Sequence, residues 1–204
     1  MELLSHLPKG DLTVLITVAA GVLARYLPQL CYDLANRKRK VLVKKSSPVK
    51  AWNITALYLT IFATFLARAG CYPDSALALA GGIVIFAIGV AVGLAGLLKL
   101  NTQYCEVLVR HEGASLVTSG IYSVVRHPVR AGLFCELLGM VILSGVALLL
   151  VPLGAVIALQ YVRTRDEEIM LKGFFGESEE RYISRVPRFN FLLGLLRVCL
   201  LRWS

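Results

Sequence analysis

Long apolar segments alternate with short polar stretches along the first half of this chain. The segments are residues 12–31, 52–69 and 76–98. Each approaches or exceeds the roughly 20 residues that a helix needs to cross a bilayer. The pattern therefore predicts three transmembrane helices within residues 1–100.

A fourth apolar stretch, residues 129–162, is too long for one crossing. Its middle carries Ser144, Gly145 and Pro152, which are residues that end helices or form turns. We interpret the stretch as two short helices folded into a hairpin. The sequence thus predicts an all-α, polytopic membrane protein with about five transmembrane helices.

Composition agrees with a membrane location. The chain has 204 residues, 57% of them hydrophobic, and a net charge of +9, which is too apolar for an ordinary soluble domain of this size. Residues 1–11 lack the basic region, short apolar core and cleavage site of a signal peptide. We expect the first apolar segment to be retained and the mature protein to begin at Met1.

Basic residues are concentrated between the first two apolar segments. The lysines and arginines within residues 36–50 are Arg37, Lys38, Arg39, Lys40, Lys44, Lys45 and Lys50. The connection at residues 70–75 has none, so the positive-inside rule places the basic stretch in the cytoplasm. With five crossings, the N-terminus is then outside and the C-terminus inside. A nucleic-acid patch is disfavoured between two spans, whereas attraction to anionic lipids follows directly.

Two further patterns have simple structural interpretations. The cysteines show neither a C-x-x-C pair nor another metal-ligand spacing, so no metal site or disulfide is predicted. Gly89 and Gly93 form a G-x-x-x-G pair, which lets helices approach closely in lipid. We favour packing within the chain over dimerisation, and the oligomeric state stays open.

Polar groups cluster where the fourth apolar stretch begins, in the sequence SGIYSVVRHPVRAG of residues 119–132. Pro128 suits the first turn of a helix, and His127 then stands at the N-cap, where free N–H groups and the helix dipole favour an anion. Arg126 and Arg130 add positive charge on either side. The stretch predicts a cradle for a carboxylate or phosphate, unless both arginines only reach lipid headgroups and His127 only caps the helix.

A second polar stretch, RTRDEEIMLKGFFGESEERYISRVPRF, covers residues 163–189. The apolar side chains grouped on one side of its predicted helix are Ile169, Met170, Leu171, Phe174 and Phe175. Its start is charged, with Arg165, Asp166, Glu167 and Glu168. Carboxylates there can simply complement a helix dipole. Because Glu167 and Glu168 emerge where His127 is also expected, one of them could instead bind a cationic group of a ligand.

Together, these two motifs resemble the isoprenylcysteine carboxyl methyltransferase family and its bacterial and archaeal relatives. The family pattern is R-H-P-x-Y-x-G, then a helical hairpin, E-E-x-x-L-x-x-x-F-G-x-x-Y-x-x-Y and a V-P. The resemblance extends over residues 116–189, where both halves stand in the family's order and spacing. The first three apolar segments resemble the family only in being apolar segments of membrane-spanning length.

The resemblance implies a helical membrane enzyme that binds S-adenosyl-L-methionine at the cytoplasmic face. The residues that would line or contact its cofactor pocket are Tyr122, Arg126, His127, Pro128, Gly132, Glu167 and Glu168. Leu171, Phe175 and Gly176 would shape the C-terminal helix, and Tyr182 and Pro187 match the end of the pattern. The chain departs from the pattern twice, because Arg130 and Glu179 stand where the family has tyrosines.

Methyl transfer asks mainly for alignment of donor and acceptor and exclusion of water. A carboxylate acceptor is already ionised near pH 7 and needs no general base. We assign the catalytic role of binding that carboxylate to Arg163 or Arg130, through a bidentate contact. A lipid-like or prenylated acceptor suits a site at the membrane surface, where Glu136 could line the entry or act as an interfacial, paired charge.

Two other functions stay open. Membrane sterol reductases, which bind NADPH, carry a similar Arg-His-Pro element and a similar C-terminal pattern. A catalytically silent membrane scaffold with the same fold is the third possibility, suggested by Arg130 and Glu179. The pair Glu167 and Glu168 and the short chain favour the methyltransferase.

We therefore expect one integral membrane domain over residues 1–204. Its parts are three transmembrane helices in 1–100, a cofactor-binding core with the hairpin and an amphipathic helix in 101–189, and an interfacial helix in 190–204. Its location is a bacterial plasma membrane or an endomembrane, with the active site cytoplasmic. Membrane lipids are expected partners, and nucleic acid is not.

Overall fold

The computed structural model describes residues 9–36, 41–44, 51–67, 73, 75–100, 109–111 and 115–201. The α-helices in this part of the chain are α1 (Lys9–Asn36), α2 (Ala51–Ala67), α3 (Ala76–Leu100), α4 (Pro128–Ser144), α5 (Leu150–Phe175), α6 (Glu177–Arg185) and α7 (Phe191–Leu201). Short 3-10 turns at Gly120–Ser123 and Ala147–Leu149 precede α4 and α5. The predicted helical class is confirmed.

Two short strands add a feature that the sequence analysis did not predict. Strand β1 (Val41–Lys44) pairs antiparallel with β2 (Val109–His111), with Val41 opposite His111 and Lys44 opposite Val109. The strands come from the connections that follow α1 and α3. Their pairing holds these two connections at one end of the helices, the end at which α4 also begins.

Helices α3 and α4 run antiparallel and touch through glycines. A Cβ placed on Gly132 would lie 2.6 Å from the carbonyl oxygen of Gly89 and from the amide nitrogen of Gly93, whereas ordinary Cβ contacts lie at 3.4–4 Å. Near the end of α3, Gly96 lies against Pro128 at the start of α4. The predicted role of Gly89 and Gly93 in packing within the chain is confirmed.

The hydrophobic core lies between α1, α2, α3, α4 and α5. The buried side chains that form it are Val14, Val18, Ile61, Phe65, Phe86, Leu137, Met140, Val141, Leu143, Leu149, Leu153 and Val156. Because α4 contributes the most members and contacts α2, α3 and α5, it is the central helix. The first turn of α4, where the Arg-His-Pro sequence stands, is therefore held from several sides.

The outer surface of these helices is also apolar. Two helical segments in the described part of the chain, Ala76–Leu100 and Ala147–Phe175, are long and apolar enough to cross a membrane. In the most apolar stretch of each, 22% of the residues are buried. Shorter apolar segments are Val14–Ala24 and Leu57–Leu66. Apolar side chains that face outward are typical of helices in lipid. The membrane character is supported, and the count of five crossings stays a prediction.

The helical hairpin forms as predicted, with one correction. Helix α4 ends at Ser144, and Gly145 takes a left-handed conformation, with φ 65°, that suits glycine. The Ser144 hydroxyl accepts a hydrogen bond from the Val146 amide at 3.2 Å, which closes the turn. Pro152, expected in the turn, lies instead in the first turn of α5, where its missing N–H costs no hydrogen bond.

Helix α5 is longer than expected. It was predicted to end near Val162, with the charged stretch forming a separate helix, but it continues without a break to Phe175. Residues 163–168 contain no glycine or proline that would end a helix, so the apolar and charged parts form one continuous helix. The break comes at Gly176, whose φ of 58° starts α6 in a new direction.

At the C-terminal end, one side of α7 lies against the residues just before α4, and another side is exposed. A Cβ placed on Gly194 would clash with the main chain of Val124, whereas Leu196 is 61% exposed. The interfacial location of this helix stays a prediction. Some predictions concern positions that lie outside the described residues: Met1, residues 37–40, 45–50 and 70–72, Cys105 and Trp203.

Candidate active site

The main chain places residues 126–128 firmly at the start of α4. His127 is the N-cap residue and Pro128 occupies the first turn, as predicted. The amides of Arg126 and His127 donate hydrogen bonds to the carbonyl oxygens of Pro187 and Arg188, at 3.0 and 3.2 Å. These two N–H groups therefore bind the chain's own C-terminal segment.

The carboxylate of Glu168 is the centre of the site. This side chain of α5 is 9% exposed and forms an ion pair with Arg126 at 3.0 Å. His127 Nε2 lies 3.2 Å from Glu168 Oε1, and Arg188 contacts both carboxylate oxygens, at 3.0 Å through Nε and 2.5 Å through a terminal nitrogen. The cradle predicted for an anion at the start of α4 thus holds a carboxylate of the protein itself.

Arg130 connects α4 to α5 beside this carboxylate. One terminal nitrogen lies 3.0 Å from His127 Nδ1 and donates to the Thr164 hydroxyl at 3.0 Å. The other nitrogen donates to Glu167 at 2.5 Å. The catalytic role predicted for Arg130 would require it to exchange Glu167 for an acceptor carboxylate, and it stays a prediction.

Burial governs the ionisation of His127. Burial lowers the pKa of the imidazole below its ordinary value, against the opposing hydrogen bond to Glu168, and the positive charge of Arg130 lowers it further. The imidazole is therefore neutral near pH 7.

Residues 186–189, the tail segment, cover the start of α4. Val186 is buried, and the Phe189 ring lies 5.9 Å from the His127 ring and 5.4 Å from that of Phe134 on α4, centroid to centroid. The Arg188 guanidinium lies 4.8 Å from the ring centre of Tyr161 on α5, a cation–π contact. The tail segment thus adds a cation and an aromatic wall to the site.

The two tyrosines of the motifs meet at one side of the site. The Tyr182 hydroxyl of α6 donates to the carbonyl oxygen of Tyr122 at 2.7 Å. Burial raises the pKa of Tyr182, and the negative charge of Glu179 raises it further. Glu179, one of the two departures from the family pattern, is 2% exposed, and its charge acts on Arg126. This departure therefore places a carboxylate inside the site.

Other predicted residues lie at helix contacts. Pro128 and Gly132 pack against α3, so the structure gives them a packing position, and their role as pocket walls stays a prediction. Glu136, predicted to be an interfacial charge or to line an entry, is completely buried. Arg163 is buried one turn before Glu167, and Leu171 packs near Phe175 in a small apolar cluster.

Sequence reasoning gave no role to Arg188, Phe189 and Thr164. Arg188 and Phe189 follow the V-P at the end of the quoted motif, so their place in the motif was a signal that could have found them. Thr164 carried no comparable signal. It contributes because it is one turn before Glu168 and accepts from Arg130, while its own hydroxyl donates to the Gln160 carbonyl at 2.7 Å.

A comparison with protein families bears on this site. The model of the isoprenylcysteine carboxyl methyltransferase (ICMT) family matches residues 82–173. The match contains most of α3, residues 126–128, the hairpin and the glutamates of α5, and it ends before α6. The resemblance predicted from the motifs is confirmed over this part of the chain.

A curated relative matches as well. A protein from Schizosaccharomyces pombe named protein-S-isoprenylcysteine O-methyltransferase is 41% identical over 80 residues, which are 38% of this chain and 34% of that protein. The matched part thus spans about a third of the relative's length.

Proposed function

We propose that this chain is a membrane methyltransferase of the isoprenylcysteine carboxyl methyltransferase family, which uses S-adenosyl-L-methionine to methylate a lipid-like acceptor. The observation that carries the proposal is the convergence on Glu168. Arg126 and His127 from the first motif meet this residue of the second motif in a buried cluster. All three residues lie inside the stretch that the family model matches.

The groups in this cluster fit the cofactor's chemistry. S-adenosyl-L-methionine carries an ammonium, a carboxylate, ribose hydroxyls and an adenine ring. The carboxylates of Glu167 and Glu168 suit its cationic and hydroxyl groups, and the guanidinium groups of Arg126 and Arg188 suit its carboxylate. The Phe189 ring suits a purine. When bound, the cofactor would supply a methyl group on a positively charged sulfur.

Arg163 is our candidate for binding the acceptor. It is buried on α5, one turn before Glu167, where its guanidinium can bind a carboxylate through two parallel hydrogen bonds. An acceptor carboxylate is ionised at neutral pH and attacks without losing a proton. A neutral His127 is compatible with this chemistry, because no base is required.

The surface beside the site supports a lipid-like acceptor. Ile157, Tyr161, Val162 and Ile169 of α5 are all 39% exposed or more, so apolar side chains are exposed along α5 up to the level of the charged cluster. An acceptor tail could remain in the bilayer against such apolar side chains while its headgroup enters the site. The name of the S. pombe relative, which specifies isoprenylcysteine, makes a prenylated cysteine the first acceptor to test.

The basic connection after α1 supports a cytoplasmic location of the site. Strand β1, which lies within that connection, pairs with β2 in the connection that leads to α4. Positive connections face the cytoplasm in most membrane proteins. We therefore propose that the charged cluster faces the cytoplasm.

Binding of S-adenosylhomocysteine to the purified protein in nanodiscs tests the cofactor. We expect micromolar binding to the wild type and at least a tenfold loss in Glu168→Gln. Glu177→Gln is the matched control, because Glu177 is 82% exposed and pairs with Arg181 on the surface of α6. Binding of NADPH in place of the adenosyl compounds would favour the reductase, and binding of neither would favour the silent scaffold.

Transfer of a radiolabelled methyl group to a small farnesylated cysteine tests the reaction. We expect Arg163→Ala to reduce turnover at least tenfold while cofactor binding stays, whereas Arg165→Ala, at an exposed position on the same helix, keeps turnover. The amide of the same acceptor, which lacks the carboxylate, should not be methylated. Equal turnover in wild type and Arg163→Ala would remove the role of Arg163.

A further inference from the structure

The contacts of Arg130 determine where the proton of His127 resides. A guanidinium has donors and no acceptor. Because a terminal nitrogen of Arg130 lies 3.0 Å from His127 Nδ1, the hydrogen bond between them requires Nδ1 to be the acceptor. The proton of the neutral ring must then be on Nε2, which lies 3.2 Å from Glu168 Oε1 and donates to it.

We propose that Arg130 is a positioning residue, which fixes His127 in the neutral tautomer with its proton on Nε2 and so directs a hydrogen bond to Glu168. The chain has Arg130 where the family pattern has a tyrosine, so this arrangement is specific to this chain and any with the same residue. The importance of this arrangement for the cofactor rests on the proposed function. The tautomer of His127 does not depend on that function.

Two anchors on α5 give Arg130 this capacity. Thr164 accepts from the nitrogen that also faces His127, and Glu167 accepts from the other terminal nitrogen. The guanidinium thus has three side-chain contacts. With one hydroxyl, a tyrosine at this position could not contact the imidazole, the threonine and the carboxylate together.

Burial favours the neutral ring, whereas the surrounding charges act in both directions on the pKa of His127: Arg130 lowers it and the two carboxylates raise it. From α4 and the residue before its N-cap, His127 is faced by the positive charges of Arg130 and Arg126, and from α5 by the carboxylates of Glu167 and Glu168. The tail segment adds Arg188, which pairs with Glu168, and the uncharged ring of Phe189. A second proton on Nδ1 would point at the guanidinium of Arg130 and break their hydrogen bond.

Nitrogen NMR of the imidazole tests the tautomer directly. The protein has three histidines, so His6→Gln and His111→Gln leave His127 as the single ¹⁵N-labelled histidine. In nanodiscs at pH 7, without any cofactor, we expect a neutral ring protonated on Nε2. A ring protonated on Nδ1, or on both nitrogens, would overturn the proposal without any variant of Arg130.

A pH titration of the same signal separates positioning from simple space filling. In Arg130→Met, which removes the charge and the donors, the midpoint of the His127 titration should move to higher pH. In Arg130→Lys, which keeps a charge and a donor, it should stay nearer to the wild-type value. Equal midpoints in all three proteins would show that Arg130 has no influence on the ring and refute its positioning role.

Binding of S-adenosylhomocysteine across pH connects the tautomer with function. As the pH is lowered, we expect Arg130→Met to lose binding at a higher pH than the wild type does. Arg130→Lys should lose binding at a pH between the two. Absence of binding to the wild type, with the expected tautomer present, would refute the proposed function and leave the tautomer intact. Identical pH profiles in the three proteins would contradict the role of Arg130 in the cofactor site.

Discussion

The contact of Gly132 with α3 makes one substitution especially informative. In Gly132→Ala the new methyl would lie 2.6 Å from Gly89 O and Gly93 N, and 2.7 Å from the Cα of Gly93. These neighbours are main-chain atoms and cannot rotate away. Ordinary contact begins near 3.4 Å, so α3 and α4 must separate locally by almost 1 Å.

The free energy of this separation can be estimated. Overpacking of a close interface costs about 1–3 kcal/mol. A matched control on α3 is Gly81→Ala, because a Cβ there meets nothing within 4 Å. Alanine in an open helical position gains roughly 0.5–1 kcal/mol over glycine. The same gain applies at Gly132 and cancels in the comparison, so we expect Gly132→Ala to be less stable than Gly81→Ala by about 1–3 kcal/mol.

Reversible denaturation of the protein in mixed micelles measures this difference, and S-adenosylhomocysteine binding should be measured on the same samples. Since α4 carries Arg130 two residues before Gly132, we expect weaker binding together with the lower stability. Equal stability of Gly132→Ala and Gly81→Ala would refute the packing role. Weaker binding at unchanged stability would instead support Gly132 as a pocket wall.

Three other substitutions test the site's supports. Tyr182→Phe removes the hydroxyl that donates to a main-chain carbonyl of the 3-10 turn, and chemical denaturation should show a loss of about 1 kcal/mol. Gly176→Ala forces alanine to φ 58° and should cost about 1 kcal/mol or more in a thermal melt, whereas Gly173→Ala, in open space on α5, should not destabilise the protein. Arg188→Ala removes a bidentate partner of Glu168 and should cost about 2 kcal/mol and at least tenfold in S-adenosylhomocysteine affinity; unchanged affinity would contradict its place in the site.

Helix boundaries could be predicted where the apolar pattern changes sharply. The prediction for α3 began at Ala76, as the structure has it, and the turn at Gly145 followed from a residue suited to a left-handed conformation. The end of α5 was predicted wrongly because the sequence changes from apolar to charged at residues 163–168 while the helix continues. Hydropathy indicates where a helix leaves the membrane and does not indicate where the helix stops.

The sequence predicted which residues come together in the candidate site better than it predicted which of them pair with each other. The motif placed Arg126, His127 and Glu168 together, which the structure confirms. The sequence analysis proposed that Arg130 binds a substrate carboxylate, whereas in the structure Arg130 donates a hydrogen bond to Glu167. A pairing between α4 and α5 depends on the rotation of both helices about their axes, and a single sequence contains no measure of that rotation.

The two main-chain hydrogen bonds between residues 126–127 and residues 187–188 also make the charged cluster depend on an intact C-terminal segment. Helices α4 and α5 contact each other directly, and helices in a membrane associate through such packing, so their pairing does not require this segment. Without this segment the carboxylate of Glu168 lacks the cation that contacts both of its oxygens. Proteolysis between α6 and Arg188 would leave a protein that keeps its apolar helices and lacks part of the charged cluster, so abundance in the membrane is a poor measure of protein with a complete cluster.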